Sequence, residues 1–248
     1  MKIAVCISHV PDTATRVKIG PDGKSIDPAG VTYIINPYDE FAVEEALKTK
    51  EKTGGEVIVI CLGGDASKES IRKALAMGAD EGILLKKDGY FDSFSVANAL
   101  ADEIKSQNCE LVFFGKQSVD YDNSITGQLT AEILGYSCVS VVVAFNLENN
   151  KITAEREIEG GREIVQTELP AVITAQKGLN EPRYASLKGI MASKKKVIAE
   201  KPAKEVNNLT EIINLTLPQP KQPGRIVGTD ASAVPELVRL LREEAKVI

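Results

Sequence analysis

Apolar residues in the first half of the chain cluster in short runs that mark candidate strands at residues 2–8, 57–62, 82–85 and 111–114. Runs of this length without alternation are expected of strands buried on both faces, as in a parallel sheet. Segments of helical spacing lie between them. Residues 40–52 place Phe41, Val43, Ala46 and Leu47 among interleaved charges. Residues 67–77 open on Ser67, which suits an N-cap, and stop before Gly78, which suits a C′ glycine. Residues 93–105 and 126–134 read as two further helices. Strand and helix in this alternation predict an α/β fold: a Rossmann-like, mainly parallel sheet with helices on both faces and ligand-binding loops at the C-terminal edge of the strands.

From residue 139 the rhythm becomes β-rich, with segments at 139–147, 152–158, 164–169 and 171–175. Asn149-Asn150 forms the expected hairpin turn, so the sheet is expected to continue in antiparallel pairing. After Lys194-Lys195-Lys196 come Pro202, Pro218, Pro220 and Pro223 with few large apolar residues. Residues 199–229 therefore read as an extended arm. A last helix is expected to start near Asp230 or Ser232, with Val234, Leu237, Val238 and Leu241 on one face. The organisation expected is an α/β unit at 1–196, with an exposed loop at about 178–196, followed by an arm and terminal helix at 197–248 that packs on a partner.

Composition narrows the chemistry. The 248 residues include one histidine, His9, so a catalytic triad or a His-rich metal site would have to run through a single side chain. Four cysteines, Cys6, Cys61, Cys109 and Cys138, are scattered without a CxxC pair and suggest neither a disulfide frame nor a zinc site. A formal net charge of −5, from 30 basic against 35 acidic residues, argues against a nucleic-acid surface. No apolar run approaches membrane-span length and the first residues carry no signal-peptide pattern, so a cytoplasmic location is expected.

The strongest local feature runs from Phe113-Phe114-Gly115 through Lys116, Gln117, Ser118, Val119, Asp120, Tyr121, Asp122, Asn123, Ser124 and Ile125 to Thr126-Gly127-Gln128. A strand, a glycine, a polar loop and a helix start suit a nucleotide: Gly115 lets backbone approach a ligand, and free N–H groups at the helix start bind phosphate oxygens. The segment matches neither GxxxxGK[ST] nor GxGxxG; in the plainer reading, Asp122 or Ser124 caps the helix. Gly63-Gly64 makes a second, weaker loop of the same kind. In a third, Pro37 fixes the backbone after Asn36, whose amide is suited to reading an adenine edge.

Four segments together resemble the β subunit of the electron transfer flavoprotein family: Asn36-Pro-Tyr-Asp-Glu-Phe-Ala-Val-Glu-Glu-Ala46, Ala74-Leu-Ala-Met-Gly-Ala-Asp80, the Gly115-to-Gln128 loop, and Leu179-Asn-Glu-Pro-Arg-Tyr-Ala-Ser-Leu187. The block from Ala154 to Val165 followed by Pro170-Ala-Val-Ile-Thr174 matches a fifth signature. The resemblance runs in order from residue 1 to about 196. It implies an adenine-nucleotide α-hydrolase-like fold and an electron carrier subunit rather than an enzyme, paired with an α subunit that holds most of the FAD. The β subunit of that family binds AMP and presents a docking loop to acyl-CoA dehydrogenases and other flavoenzymes of fatty acid β-oxidation. Electrons leave for a membrane quinone oxidoreductase.

Carried over residue by residue, the resemblance implies an AMP pocket built from Cys6, Asn36, Pro37, Tyr38, Asp39, Cys61 and Gly115 through Thr126. It implies that Arg156 and Glu157 face the flavin domain of the α subunit, and that Leu187 is the docking anchor, with Arg183 and Tyr184 supporting its loop. Several positions depart from the usual pattern: Ser8-His9, Thr13, and Lys188-Gly-Ile-Met-Ala-Ser193 after the anchor. The arm matches only in general character. Val10-Pro11-Asp12-Thr13 resembles an electron-bifurcating branch, in which a second FAD replaces AMP and oxidises NADH, whereas Tyr121-Asp-Asn-Ser-Ile-Thr-Gly-Gln128 is closer to the AMP-binding type. A stand-alone nucleotide-binding signalling domain would leave the second half and the arm without a role.

Overall fold

The computed structural model describes residues 1–221 and 223–248. Among the described residues the strands are β1 (Lys2–Ile7), β2 (His9–Pro11), β3 (Tyr33–Ile35), β4 (Glu56–Gly63), β5 (Glu81–Lys86), β6 (Leu111–Gly115), β7 (Ser137–Glu148), β8 (Lys151–Ile158), β9 (Gly161–Glu168), β10 (Ala171–Ala175) and β11 (Ile198–Pro202). The helices are α1 (Pro37–Thr53), α2 (Lys68–Met77), α3 (Ser93–Ser106), α4 (Thr126–Leu134), α5 (Leu187–Lys195) and α6 (Val234–Arg239). Nine strands form one sheet in the order β11-β5-β4-β1-β6-β10-β7-β8-β9, and β2 with β3 forms a small antiparallel pair.

The expected α/β fold with a mainly parallel sheet is what the chain adopts. Pairing is parallel from β11 to β7 and antiparallel across β7, β8 and β9. Period-two alternation divides the central strands between two cores. Ile3, Val5, Ile7, Val57, Val59, Leu111 and Phe113 pack with α1 and α2 side chains such as Val43, Leu47, Ile71 and Leu75. Ala4, Cys6, Ile58, Ile60, Val112 and Phe114 pack with Leu100, Ile104 and Ala131 of α3 and α4. The chain steps outward from β1 to β4 and β5, then returns to β6 on the other side of β1. That reversal opens a crevice beyond the C-terminal ends of β1 and β6.

Three local expectations are corrected. Ser67 is not a side-chain cap: it closes a 3₁₀ turn, Asp65–Ser67, and already has helical angles when α2 begins. Neither Asp122 nor Ser124 caps α4; the residue before it is Ile125, which makes no side-chain cap bond. The arm does not begin at 197 or 199, because β11 runs parallel beside β5 with Ile198 buried, and the sheet continues to Pro202. Asn149 and Asn150 both take positive φ, as a tight hairpin between β7 and β8 requires. Near the end, Asp230 accepts the Ser232 N–H and a 3₁₀ turn leads into α6, where Val234, Leu237 and Val238 remain exposed. No helix among the described residues is long and apolar enough to cross a membrane.

Candidate functional site

A cavity of about 490 Å³ occupies the crevice at the switch point, within the range of small-molecule sites. Its floor is Cys6, Ile7 and Ser8 at the end of β1 with Phe114 and Gly115 at the end of β6. One wall is the β6–α4 loop and the first residues of α4, Lys116 to Gly127; the opposite wall is Gly63-Gly64 together with the β5–α3 loop, Lys87 to Ser93. Lys116, Gln117, Ser118, Asp120, Tyr121, Asn123, Ser124, Ile125 and Thr126 line it; Val119 and Asp122 belong to the same loop but do not.

The buried Asp39 carboxylate stitches the floor together, accepting the Ser8 N–H at 2.7 Å and the Gly115 N–H at 3.1 Å. It thus joins the ends of the two strands that diverge at the crevice. Burial pushes this carboxyl up to about 7, against the pull of hydrogen bonds from Asn36, Ser8 and Gly115. Gly115 has a different reason from the one its sequence context suggests: a Cβ there would run into Asp39 and the Tyr38 backbone. Its missing side chain admits the first turn of α1 against β6.

Asn36 is fully buried and off the cavity surface. Its Nδ2 donates to the Gln117 carbonyl at 2.8 Å and its Oδ1 accepts the Val119 N–H at 3.2 Å. Both ends of the amide are engaged in shaping the loop. Pro37 opens α1, where its missing N–H costs nothing, and Tyr38 lies under the Lys116 ammonium, 5.2 Å from the ring centroid. Of the two candidate thiols, Cys6 lines the cavity and Cys61 is sealed behind it. Burial pushes Cys61 up to about 12 and raises Cys6 well above the ordinary thiol value, so both stay protonated and unreactive near neutral pH.

At the head of the cavity wall the first N–H groups of α4 face no side-chain cap, and Thr126 and Gly127 line the cavity. An uncapped helix start beside a polar cavity is suited to an anion. Loop residues Asp122 and Ser124 hold positive φ and both bond to Gln117, Asp122 by accepting its Nε2–H at 2.5 Å and Ser124 through the Gln117 Oε1 at 3.0 Å. His9 hydrogen-bonds Ser70 through Nδ1 at 2.8 Å and stacks on Tyr33, while burial lowers its pKa. Among the described residues no group of three His, Cys, Asp or Glu side chains is placed to hold a metal ion.

The wall formed by Lys87, Asp88, Gly89, Phe91 and Ser93 was not expected. Gly89 between a strand and a helix is the signal that points to it, the same signal as Gly63-Gly64. The remaining candidate residues lie away from the cavity. Leu187 is the first residue of α5, 83% exposed, and Tyr184 is wholly exposed, while Ser186 caps α5 by accepting the Gly189 N–H. Arg183 turns inward instead: its Nε donates to buried Glu44 at 2.8 Å and its Nη1 to Glu51 at 2.5 Å. Asn180 donates to the Phe41 carbonyl and to Glu45, and Arg72 donates to the Lys196 carbonyl at 2.6 Å at the far end of α5. Lys196 is half-buried, with its ammonium on the Ala79 carbonyl, so only Lys194 and Lys195 of the basic trio are exposed. On β8, Arg156 donates to Ser140 at 3.1 Å and Glu157 accepts from Gln176 at 2.8 Å.

A parallel sheet with a polar cavity at its switch point places the chain among the Rossmann-like α/β proteins. Comparison with known sequences narrows this to one family. The Electron transfer flavoprotein domain matches residues 24–206. The electron transfer flavoprotein subunit beta of Syntrophomonas wolfei is 42% identical over 225 residues, covering 90% of this chain and 88% of that protein. The Bradyrhizobium diazoefficiens subunit beta is 39% identical with 100% of both chains covered, and the human one 37% identical with 100% of this chain and 99% of the other covered. The chain belongs to the electron transfer flavoprotein family, on the beta-subunit side.

Proposed function

We propose that this chain is the non-catalytic half of a heterodimeric electron carrier, holding AMP in the switch-point cavity while the α subunit holds FAD. The observation that carries the AMP assignment is the uncapped start of α4, opening onto a cavity of nucleotide size. In this reading the N–H groups at Thr126 and Gly127 take the phosphate, with the helix dipole behind them. The 116–126 loop, on which Tyr121 is exposed, covers the nucleoside. FAD supplies the redox chemistry when bound to its own subunit, which accords with a cavity whose one lining thiol, Cys6, is held protonated by burial and whose histidine is engaged with Ser70.

Docking is assigned to residues 178–196. Leu187 is the anchor presented to acyl-CoA dehydrogenases or other flavin dehydrogenases, and electrons pass on to the electron transfer flavoprotein-quinone oxidoreductase. Arg183 acts from behind by tying the loop to α1. Arg156 and Glu157 meet the flavin domain of the α subunit, and the arm with α6 packs on that subunit.

The test is to purify the chain co-expressed with its α subunit, denature the complex and quantify released nucleotides by chromatography. One FAD and one AMP per heterodimer is the expected result. Two FAD without AMP would replace this reading by the bifurcating one, in which this chain carries a redox cofactor itself.

A further inference from the structure

The β5–α3 wall of the cavity is not held by its own neighbours in sequence. Asp92, buried at the N-cap of α3, accepts the Ser95 N–H on Oδ1 at 2.8 Å, which is all that capping needs. Its second oxygen goes to the arm: Oδ2 accepts the backbone N–H of Leu209 at 2.5 Å and of Thr210 at 2.9 Å. Asn208 completes the knot. Its Oδ1 accepts the Asp92 N–H at 3.1 Å and the Ser95 hydroxyl at 2.7 Å, and its Nδ2 donates to the Tyr90 carbonyl at 3.0 Å. The Tyr90 and Thr210 hydroxyls lie 3.3 Å apart.

The same loop touches the opposite wall. The Tyr90 and Tyr121 rings meet at 6.2 Å between centroids, and Asn123 donates to the Ser93 hydroxyl at 3.0 Å. Further along the arm, the Leu215 N–H donates to the Gly23 carbonyl at 2.8 Å, in the loop that leads to the cavity residue Tyr33. The arm is therefore fastened at 208–210 to the lip of the cavity and at Leu215 to the loop that precedes Tyr33.

We propose that Asn208 and Asp92 are positioning residues for the nucleotide site. They lock the lip formed by residues 87–93 to the start of the arm, so that release of the nucleotide requires this stretch of the arm to let go. The inference rests on the reading of the cavity as an AMP site. Its structural half, the coupling of lip to arm, stands on the hydrogen bonds alone.

The test uses the αβ complex with Asn208→Ala, which removes three hydrogen bonds and leaves the Asp92 cap of α3 in place. Lys204→Ala is the control, cutting an arm contact, the Lys204–Asp102 pair at 3.4 Å, that does not reach the lip. Bound AMP is chased with isotope-labelled AMP, and amide hydrogen exchange is followed at 87–93. Asn208→Ala should release AMP at least tenfold faster, a change of about 1.4 kcal/mol or more, and should expose the lip amides in step with those of 208–210. Lys204→Ala should do neither. Thr210→Val, a milder cut, should shift both in the same direction by a smaller factor, which keeps the test open if Asn208→Ala folds poorly. Unchanged lip protection in the Asn208 variant overturns the latch. Faster lip exchange with unchanged AMP release overturns its role in retention. A wild-type complex that holds no AMP overturns the cavity reading instead, and lip protection still decides the latch.

Discussion

Asp39 is where the chemistry of the cavity floor and the stability of the fold meet. Its two oxygens each serve one backbone N–H, from Ser8 and from Gly115. Asp39→Asn presents an NH₂ group to one of those donors and leaves it unpaired, at a cost of about 1–3 kcal/mol, measurable as a lowered urea midpoint. The pH dependence has a definite sign. Because burial raises this carboxyl to about 7, the folded protein holds a proton that the unfolded chain has already lost above its ordinary carboxylate pKa of about 3.9. Stability then falls as pH rises from about 4 to about 7 and is level beyond. In Asp39→Asn that slope should flatten; a variant with the wild-type slope would assign the titration to another group. The same residue shows what sequence alone hides. Asp39 lines the cavity, as a ligand contact would, but its bond to Gly115 and that of Asn36 to Gln117 join positions 76 and 81 apart in the chain, which no local pattern reveals.

At the scale of elements, the docking segment separates an anchor from its support. Leu187 projects from the first turn of α5 into solvent, whereas Arg183 is bound through Glu44 and Glu51 to α1. Leu187→Ala should slow electron transfer from an acyl-CoA dehydrogenase while leaving the loop as protected from protease as in the wild type, with FAD content and assembly intact. Arg183→Met should slow the same transfer but also make residues 178–186 susceptible to cleavage, because buried Glu44 loses its cation. Equal rates in the first variant would remove the docking assignment; unaltered cleavage in the second would remove the tether. Elements were legible in proportion to how locally they are determined. The four apolar runs became β1, β4, β5 and β6 because strands buried on both faces must be apolar throughout. β11 resembles arm in sequence because Ile198-Ala199-Glu200-Lys201-Pro202 is an edge strand with only Ile198 buried, a pattern no different from extended coil. The β5–α3 wall is hidden in the sequence for a related reason: Asp92 looks like an ordinary cap until Asn208, 116 residues on, is placed beside it.

Across the whole molecule, apolar surface is distributed unevenly. The sheet core is closed, but Leu209, Ile213, Leu217 and Ile226 along the arm, Val234 and Leu237 near the end, and Ile158 and Ile164 on the β8–β9 hairpin are all exposed. Single exposed apolar residues are ordinary in a monomer, whereas a chain of them on an extended arm has little to bury it within the same polypeptide. If the arm and hairpin meet the α subunit, the chain made alone should bind a hydrophobic dye and elute as mixed oligomers, while co-expression should give a single species of one α and one β with dye binding suppressed. Nucleotide content should follow the same division, since an arm without its partner holds the 87–93 lip only through the contacts of residues 208–210 with Tyr90, Asp92 and Ser95. Light scattering and dye titration on both preparations provide the comparison. A lone chain that stays monomeric, binds no dye and shows no affinity for an α-type flavoprotein subunit would favour a self-sufficient nucleotide-binding domain. The arm would then be a strap for its own cavity, without a docking role.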